Sequence, residues 1–333
     1  MKSSILGYAG ILAGFFGALG CAVGVDEEGS EAGAEDVSTS REAVTTSTVT
    51  DPTGTFTISY TQCDATNGGG ARWRSCAVPS DYALIGGGAE ILGSPAPGAL
   101  LTGSHPDQAN QRWIARAKDH NQEQFYDLRA YAIGLKIANV SATSLRSQIS
   151  FVKRTKTIST GILSDAVSVP SGTIVLGGGV NNYVTAGTNL RLLTVTAPVC
   201  NNDPNDSCSS GTITGWFGQS KDHFTAAAGS MDTYLIAMPQ CIQAGTALKC
   251  FKNSLQHAQT GTSGGYQTVL VDFSGPVAGI GARAEFAAPG RLLTDIFPIR
   301  RSSTVVRAVA ESKDHQKPAN GSTHVYSIGL AMR

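Results

Sequence analysis

The sequence predicts an all-β fold made of three internal repeats. A tripeptide, Lys-Asp-His, occurs three times, and a Tyr-x-Ile phrase begins eleven residues after each of its histidines. Apolar and polar residues alternate with a period of two around these motifs, which is typical of half-buried strands, and no long amphipathic helix is evident. A motif repeated at a constant offset indicates internal repetition. The tripeptides are Lys118-Asp119-His120, Lys221-Asp222-His223 and Lys313-Asp314-His315, and the phrases begin at Tyr131, Tyr234 and Tyr326.

Two further blocks recur in the same order before each tripeptide. The first is a glycine cluster, and the second is Leu-Leu-Thr followed four residues later by a proline. The clusters lie at 86–88, 177–179 and 279–281, and the prolines are Pro106, Pro198 and Pro298. This order divides the chain into repeats of approximately 51–145, 146–240 and 241–333.

Each block predicts one strand. Before the first tripeptide, Trp113, Ala115 and Ala117 alternate with larger or polar residues, so we expect a small inward face and a polar face in water. The Tyr-x-Ile phrase supplies a second strand, because β-branched and aromatic residues fit a pleated surface. The glycine cluster marks a third strand, which is expected to contain bulges. Leu-Leu-Thr predicts a fourth strand, and the proline that follows is expected to end its ladder pairing. About twelve core strands follow, with extra strands at Phe56–Tyr60, Gln148–Lys153 and Tyr266–Phe273.

No Pro- or Gly-rich linker separates the repeats, which predicts one compact body with pseudo-threefold symmetry. A β-prism-like body or three packed small β-sandwiches suits these long repeats better than a trefoil-like barrel. Through Ser104-His105-Pro106 and Tyr131-Ala132-Ile133, the sequence resembles a Gly-rich β repeat of secreted bacterial proteins. The threefold architecture is similar to that of jacalin-type lectins, a likeness that implies a fold and no binding residue.

The N-terminus has the features of an export signal. Lys2 precedes an apolar stretch, Ile5–Leu19, that is too short to span a bilayer. The sequence Ala18-Leu19-Gly20-Cys21 then resembles a bacterial lipobox. The resemblance implies a signal over residues 1–21, lipidation of Cys21, and attachment to the outer membrane or cell surface through the lipid. Ordinary signal cleavage, giving a secreted protein, is the alternative.

Residues 22–50 predict a disordered acidic tether. Seven acidic side chains stand there beside a single arginine, and such a segment buries too little apolar surface to offset its ordering entropy. The all-β domain from residue 51 onward carries 23 basic and 18 acidic residues, a net charge of +5. That charge falls short of a nucleic-acid footprint, so no nucleic-acid partner is expected.

Six cysteines remain if Cys21 carries lipid, and an even number in an exported chain indicates disulfides. Their short separations favour three local bridges over the other pairings. These are Cys63–Cys76, Cys200–Cys208 and Cys241–Cys250. No Cys-x2-Cys pair occurs, so no zinc site is predicted. The segment Asn201–Asp206 offers oxygen ligands for calcium, although a solvated loop is the simpler interpretation.

The tripeptides supply the candidate site residues. Asp119, Asp222 and Asp314 are expected to accept backbone N–H bonds in the following turn, and the three tyrosines are expected to be structural. The lysines and histidines are expected to point outward and to display one polar patch three times, which suits multivalent binding. These candidate binding residues are Lys118, His120, Lys221, His223, Lys313 and His315. Outward histidines argue against a shared metal site.

The sequence therefore favours an envelope-anchored or secreted binding module, with lectin-like recognition of carbohydrate or another surface polymer. A structural or adhesive surface protein without a small-molecule site is the first alternative, and a secreted hydrolase is the second. Enzyme motifs are missing from the sequence: it holds no G-x-S-x-G elbow, H-E-x-x-H pair or Walker loop. No catalytic residue is predicted, and calcium is the one cofactor considered.

Overall fold

The computed structural model describes residues 44–92, 98–120, 122–184, 191–201, 208, 211–222, 226, 228–285, 291–315 and 318–333. Within these ranges the chain forms twenty β-strands and one short helix, which confirms the all-β prediction. The signal, Cys21, His223 and most of the tether and calcium segments lie outside the described residues.

In chain order, the strands fall into three groups. Group 1 contains β1 (Val44–Thr50), β2 (Phe56–Gly68), β3 (Arg72–Ala77), β4 (Ala83–Leu92), β5 (Ala99–Asp107), β6 (Arg112–Asp119), β7 (Tyr126–Ile137) and the helix α1 (Ala142–Gln148). Group 2 contains β8 (Ser150–Ile158), β9 (Ile162–Ser168), β10 (Thr173–Val184), β11 (Leu192–Cys200), β12 (Ile213–Lys221) and β13 (Gly229–Pro239). Group 3 contains β14 (Cys241–Ala244), β15 (Ala247–Gln259), β16 (Gln267–Ser274), β17 (Val277–Ala284), β18 (Arg291–Arg300), β19 (Val305–Asp314) and β20 (Thr323–Met332).

Strand β1 corrects the C-terminal boundary of the predicted tether. It pairs with β2 along its whole length, from Val44 opposite Cys63 to Thr50 opposite Thr57. Its threonines and valines suit a pleated surface, and Val49 is buried. Residues 44–50 therefore belong to the β domain, because their β-branched side chains and ladder partners outweigh the acidic composition of the preceding segment.

The strands form three sheets of seven, six and seven strands. Their orders are β1-β2-β7-β4-β18-β19-β16, β3-β6-β5-β10-β13-β8 and β14-β15-β20-β17-β11-β12-β9. In each sheet a glycine-cluster strand of one group pairs with the Leu-Leu-Thr strand of another: β4 with β18, β10 with β5, and β17 with β11. Every group therefore contributes strands to two sheets, and these pairings link the three groups in a cycle.

The glycine clusters lie where the three groups meet. A Cβ atom on Gly86 would fall 2.5 Å from the carbonyl oxygen of Ala278, and one on Gly177 would fall 2.8 Å from that of Ile85. A Cβ atom on Gly279 would lie 2.8 Å from the Cα atom of Gly177. Three backbones can approach this closely only where no side chain intervenes. Each group therefore needs a glycine at this contact.

Two bulges recur in each group. In β4 the register shifts between Leu84 and Gly86, and in β18 it shifts between Leu293 and Asp295. The other groups have the same shifts beside their glycine clusters and at the threonine of Leu-Leu-Thr. A bulge adds one residue to a strand and increases its local bend. The bulges predicted at the glycine clusters are therefore confirmed.

The repeated prolines do not end their strands, and that prediction is wrong. Pro106 lies inside β5 opposite Trp113, and Pro198 and Pro298 lie in the same way inside β11 and β18. On its other side β5 pairs with β10 only through Gly103 and Ser104. Pro106 therefore stands where one edge of the strand has no ladder partner, and a residue without an N–H is tolerated there.

The two repeated tryptophans are core residues. Trp113 and Trp216 are fully buried, and each indole lies against the middle glycine of its glycine cluster. The indole N–H of Trp113 donates to the hydroxyl of Ser104 at 2.9 Å, and that of Trp216 donates to the hydroxyl of Thr196 at 2.9 Å. The buried polar atom of each ring is thus satisfied.

The three predicted disulfides are confirmed: Cys63–Cys76, Cys200–Cys208 and Cys241–Cys250. The first joins β2 to β3 and therefore connects two different sheets. Disulfides persist in oxidising compartments, so three of them fit an extracellular environment. In the described part of the chain, no helix is long and apolar enough to cross a membrane.

Candidate functional site

The three tripeptide aspartates hold turns. Their Oδ2 atoms accept hydrogen bonds from the backbone N–H groups of glycines in the left-handed region, where a side chain would be strained. The pairs are Asp119–Gly70 at 2.8 Å, Asp222–Gly161 at 2.8 Å and Asp314–Gly265 at 2.7 Å. These turns lie 49 to 61 residues earlier in the chain. Asp119 also accepts a hydrogen bond of 3.3 Å from the backbone N–H of Gln124 in the turn that follows it, as expected. Each carboxylate therefore fixes the entry of a neighbouring strand: β3, β9 or β16.

The carbonyl groups of the same three glycines are also held. Tyr126 donates its hydroxyl to the carbonyl oxygen of Gly70 at 2.8 Å. In the other two groups a fully buried guanidinium takes this place: Arg191 donates to Gly161, and Arg291 donates to Gly265. The aspartate and its partner side chain thus form a structural clamp on each turn.

The prediction that the tripeptide lysines and histidines point into water is wrong for four of the six, and His223 lies outside the described residues. Lys221, Lys313, His120 and His315 are at most 5% exposed, and Lys118 is half-buried. The lysines lie opposite Leu100, Leu192 and Leu292 in the register, and these leucines form one cluster. The rings of His120 and His315 lie 5.0 Å apart. Strand ends from different groups cover one another, so Lys221, Lys313, His120 and His315 do not display a polar patch.

The tyrosines of the three Tyr-x-Ile phrases occupy equivalent positions in β7, β13 and β20. The ring of each tyrosine stacks on a different neighbour. Tyr131 stacks on Phe297 at 5.4 Å between ring centroids, and Tyr234 stacks on His105 at 5.6 Å. Tyr326 stacks on His257 at 4.8 Å. The neighbours differ because the side chains around each inter-group strand pair differ.

One inter-group strand pair collects carboxyl groups. Where β4 meets β18 and β19, the chain carries Glu90, Asp295 and Glu311. The equivalent positions of the second sheet are Asn181, Gly103 and Arg116, and those of the third are Arg283, Val195 and Gln219. The first sheet therefore has an acidic junction that the other two lack.

A cavity of about 220 Å³ opens at this junction. Seven polar or aromatic side chains line it: Glu90, Gln124, Tyr266, Thr294, Asp295, Glu311 and Lys313. We call this cavity the acidic pocket. Asp295 and Lys313 are buried, whereas Tyr266 is 41% exposed, so the tyrosine ring marks the side of the pocket that faces solvent.

Glu90 is oriented by two donors from β7. Its Oε2 atom accepts a hydrogen bond of 2.9 Å from Nη1 of Arg129 and another from the hydroxyl of Tyr131. The guanidinium of Arg129 also pairs with Asp64 on β2. The strong network makes Arg129 and Glu90 a fixed part of the pocket wall.

Asp295 and Glu311 face each other across β18 and β19. They are direct partners in the register, so their Cβ atoms lie roughly 5 Å apart. Burial, together with the charge of Glu90, raises the pKa of Asp295 to about 7 and the pKa of Glu311 to about 7. Near neutral pH each carboxyl group is therefore partly protonated, and the pair can donate as well as accept a proton.

Lys313 reaches the same pocket from β19. Burial lowers the pKa of its amine to about 8, although the charge of Asp295 opposes the shift. Lys221, at the equivalent position of group 2, has a pKa lowered to about 8 by burial as well, but it is not part of the acidic pocket. The neutral fraction of this amine, beside partly protonated carboxyl groups, is capable of nucleophilic and acid–base chemistry.

The other two junctions hold different chemistry. In the second sheet Asp232 accepts hydrogen bonds from Thr155 at 2.6 Å and Tyr183 at 2.7 Å, and Lys153 lies 3.2 Å away. In the third sheet the imidazoles of His257 and His324 share a hydrogen bond of 2.9 Å. Among the described residues, no group of three or more His, Cys, Asp or Glu side chains could hold a metal ion.

Of the residues that line the acidic pocket, the sequence identified Lys313 as a candidate, but it did not identify the three carboxyl groups. Their signal lies in departures from the repeat rather than in the repeat itself. Glu311 stands two residues before a tripeptide lysine, where the other copies have Arg116 and Gln219. Asp295 directly follows Leu-Leu-Thr, where the other copies have Gly103 and Val195. A carboxyl group that one copy alone carries indicates a role that the shared fold does not require.

The fold and the pocket define an all-β, disulfide-bonded protein with an acidic pocket between two of its strand groups. No protein-family model matches the chain, and no curated protein sequence shows similarity to it. Its function must therefore be argued from the pocket.

Proposed function

We propose that the chain is an exported binding module that holds the end of a carbohydrate chain in the acidic pocket. The observation that supports this is the combination of a buried carboxyl group, Asp295, and a half-buried one, Glu311, with the exposed ring of Tyr266 around one cavity. Partly protonated carboxyl groups can exchange hydrogen bonds with sugar hydroxyls in both directions. An aromatic face can cover the apolar face of a sugar ring.

The size of the pocket restricts the ligand. Its volume of about 220 Å³ is smaller than the roughly 300–1,000 Å³ of pockets that take drug-sized molecules. A single sugar unit at the end of a glycan fits this class better than an internal segment of a long chain. The proposed mode is therefore one terminal unit in one pocket, in place of the threefold surface patch expected from the tripeptides.

The proposal also places the module outside the cytoplasm. The three disulfides support an oxidising environment, and the lipobox-like Ala18–Cys21 supports a lipid anchor at Cys21. Residues 22–43 would then form the spacer between membrane and β domain. A β-prism-like arrangement of three repeats, similar in architecture to jacalin-type lectins, belongs to the same proposal, and the shared strand order of the three sheets supports it. Calcium at Asn201–Asp206 stays a prediction.

A glycan array on the protein without its signal tests the proposal. We expect binding to a restricted set of terminal sugars, with loss of binding in Y266A and E311Q. The matched control is W73A, since Trp73 is another exposed aromatic ring, at 53% exposure, outside the pocket. Binding that W73A abolishes and Y266A leaves intact would rule out the pocket as the site. No bound glycan, together with adhesion to cells, would favour the structural or adhesive surface protein.

A secreted hydrolase is the second candidate, and one observation favours it. Two facing carboxyl groups whose pKa values are raised to about 7 have the protonation states that acid–base catalysis requires. Release of reducing sugar from a bound glycan, abolished by both D295N and E311Q, would convert the proposal from binding to hydrolysis. Binding without release would keep the module assignment.

A further inference from the structure

We infer that Lys313 is a nucleophilic amine that forms an imine with a small neutral aldehyde or ketone in the acidic pocket. Three structural features carry this inference: Lys313 lines the cavity, it is only 5% exposed, and Asp295 and Glu311 line the same cavity as proton carriers. It goes beyond carbohydrate binding, because a covalent bond to a carbonyl carbon needs neither a glycan nor the ring of Tyr266.

The repeat provides an internal comparison for Lys313. Lys118, Lys221 and Lys313 hold the same register position, opposite the first leucine of Leu-Leu-Thr. Lys313 alone of these three lines the acidic pocket. The same amine is therefore present both inside and outside the acidic pocket, which separates the effect of the pocket from the effect of burial.

An amine attacks a carbonyl only in its neutral form. Burial lowers the pKa of Lys313 from 10.5 to about 8. Near pH 7 its neutral fraction is therefore larger than that of an ordinary lysine by about two orders of magnitude. Burial also keeps bulk water away from the product, which disfavours its hydrolysis.

The carboxyl groups complete the reaction. The neutral Nζ of Lys313 attacks the carbonyl carbon and a C–N bond forms as the C=O π bond breaks. One proton then moves from the nitrogen to the oxygen to give a neutral carbinolamine. The protonated form of Asp295 or Glu311 then donates a proton to the hydroxyl, which leaves as water as the C=N bond forms. The resulting carboxylate takes the remaining N–H proton. Amine and carbonyl thus give imine and water, with no net change in redox state.

Charge and size define the class of carbonyl compound. Glu90, held by Arg129, keeps a carboxylate in the pocket wall, so a 2-oxo acid would be repelled. The volume of about 220 Å³ limits the compound to a few carbon atoms. Hydroxyl groups on the compound could bond to the carboxyl groups. A short hydroxyaldehyde, including the open-chain form of a small sugar, fits these conditions.

Reductive trapping on the wild-type protein tests the inference. The protein is incubated with glycolaldehyde and sodium cyanoborohydride, which reduces the imine to a stable amine, and each modified lysine is located by peptide mass mapping. We expect Lys313 to be modified more than Lys221 and the exposed Lys252 by about tenfold or more. The yield at Lys313 should pass through a maximum between about pH 7 and pH 8, because the reaction needs the neutral amine together with a protonated carboxyl group. Pyruvate should leave Lys313 unmodified.

Variants separate this inference from the proposed function. K313M should lose the label and K221M should keep it, and circular dichroism checks that both fold. Equal labelling of Lys221 and Lys313, or labelling confined to exposed lysines, would overturn the inference. Glycan binding with no label at Lys313 would leave the binding module intact and remove the imine. A label at Lys313 with no glycan bound would support the imine and contradict the proposed carbohydrate binding.

Discussion

At the scale of the residue, the protein buries carboxyl groups in two opposite ways. Asp295 is 3% exposed, and burial raises its pKa to about 7. Asp232 is 1% exposed, and burial acts in the same direction, but hydrogen bonds from Thr155, Tyr183 and Lys153 outweigh it, so its pKa is lowered. The difference lies in the donors around each group and not in the depth of burial.

Replacing Asp295 by Asn should stabilise the protein above pH 7. The folded state holds a proton on Asp295 between about pH 4 and pH 7 that the unfolded state lacks, so wild-type stability falls as pH rises through this window. Asn removes that dependence and keeps an oxygen that can accept the backbone N–H of Ile91. We expect a gain that grows from near zero at pH 4 to at most about 4 kcal/mol above pH 7, measured by urea unfolding.

The matched control, D232N, should show the opposite sign. The pKa of Asp232 is lowered in the folded state, so its stabilisation is present above the unfolded pKa and is lost as the pH falls below it. Asn would remove the charge that Thr155, Tyr183 and Lys153 surround, at a cost of about 1–3 kcal/mol at pH 7. Equal pH dependence of the two variants would contradict the assigned environments.

At the scale of the element, the contact between the three glycine strands fixes how the groups meet. Gly86, Gly177 and Gly279 each face backbone atoms of another group at distances that exclude a side chain. The bulge beside each cluster bends its strand at the same place. The geometry is thus set by backbone approach more than by side-chain packing.

Replacing Gly279 by Ala should destabilise the protein strongly. The new Cβ atom would lie 2.8 Å from the Cα atom of Gly177, and neither backbone can move away cheaply. Overpacking usually costs about 1–3 kcal/mol, and we expect the upper end or more here. Gly261 is the matched control, because a Cβ atom there meets nothing within 4 Å, so G261A should change stability by less than about 0.5 kcal/mol.

A double variant tests whether the glycines act together. G86A and G279A both disturb the contact between β4 and β17, since a Cβ atom on Gly86 would fall 3.4 Å from the Cα atom of Gly279. Once one alanine has separated the strands, the second should cost less, so the combined loss in thermal unfolding should be smaller than the sum. Strict additivity would show that the two glycines do not share one contact.

The elements themselves could be predicted because their signals are local. The four repeated blocks all form strands, since alternation and β-branched residues act within a few residues. The direction of Lys221 and His315 could not be predicted, because what covers them comes from another group of strands. The position of Pro106 inside β5 could not be predicted either. A proline is tolerated there because the pairing of β5 with β10 ends before it.

The candidate site was hidden for a related reason. Repetition directs attention to residues that all three copies share, such as Asp119 and its clamp on Gly70, and these hold the fold. Glu90, Asp295 and Glu311 come from two groups of strands and meet only across sheet pairing. Deviations between repeats would have pointed to single residues, although only the pairing of β4 with β18 brings them to one cavity.

At the scale of the whole molecule, each group of strands is incomplete without the others. Group 1 supplies strands to the first and second sheets, group 2 to the second and third, and group 3 to the third and first. Each sheet therefore has an interior strand pair, such as β4 with β18, that joins two groups. Removing one group would expose the ladder edge of a central strand in two sheets, which is costly and promotes aggregation.

Deleting group 3 should therefore abolish folding of the remainder. A fragment of residues 44–240 retains β1 to β13, but β4 loses its partner β18 and β11 loses its partner β17. We expect no cooperative thermal transition and rapid proteolysis, because the glycine contact and the Leu100–Leu192–Leu292 cluster each lose one member. The control is residues 44–333, which keep every described strand and should unfold in one cooperative transition. A fragment that melts cooperatively with two groups alone would show that the groups are independent modules, and the acidic pocket between groups 1 and 3 would then depend on their docking rather than on one shared fold.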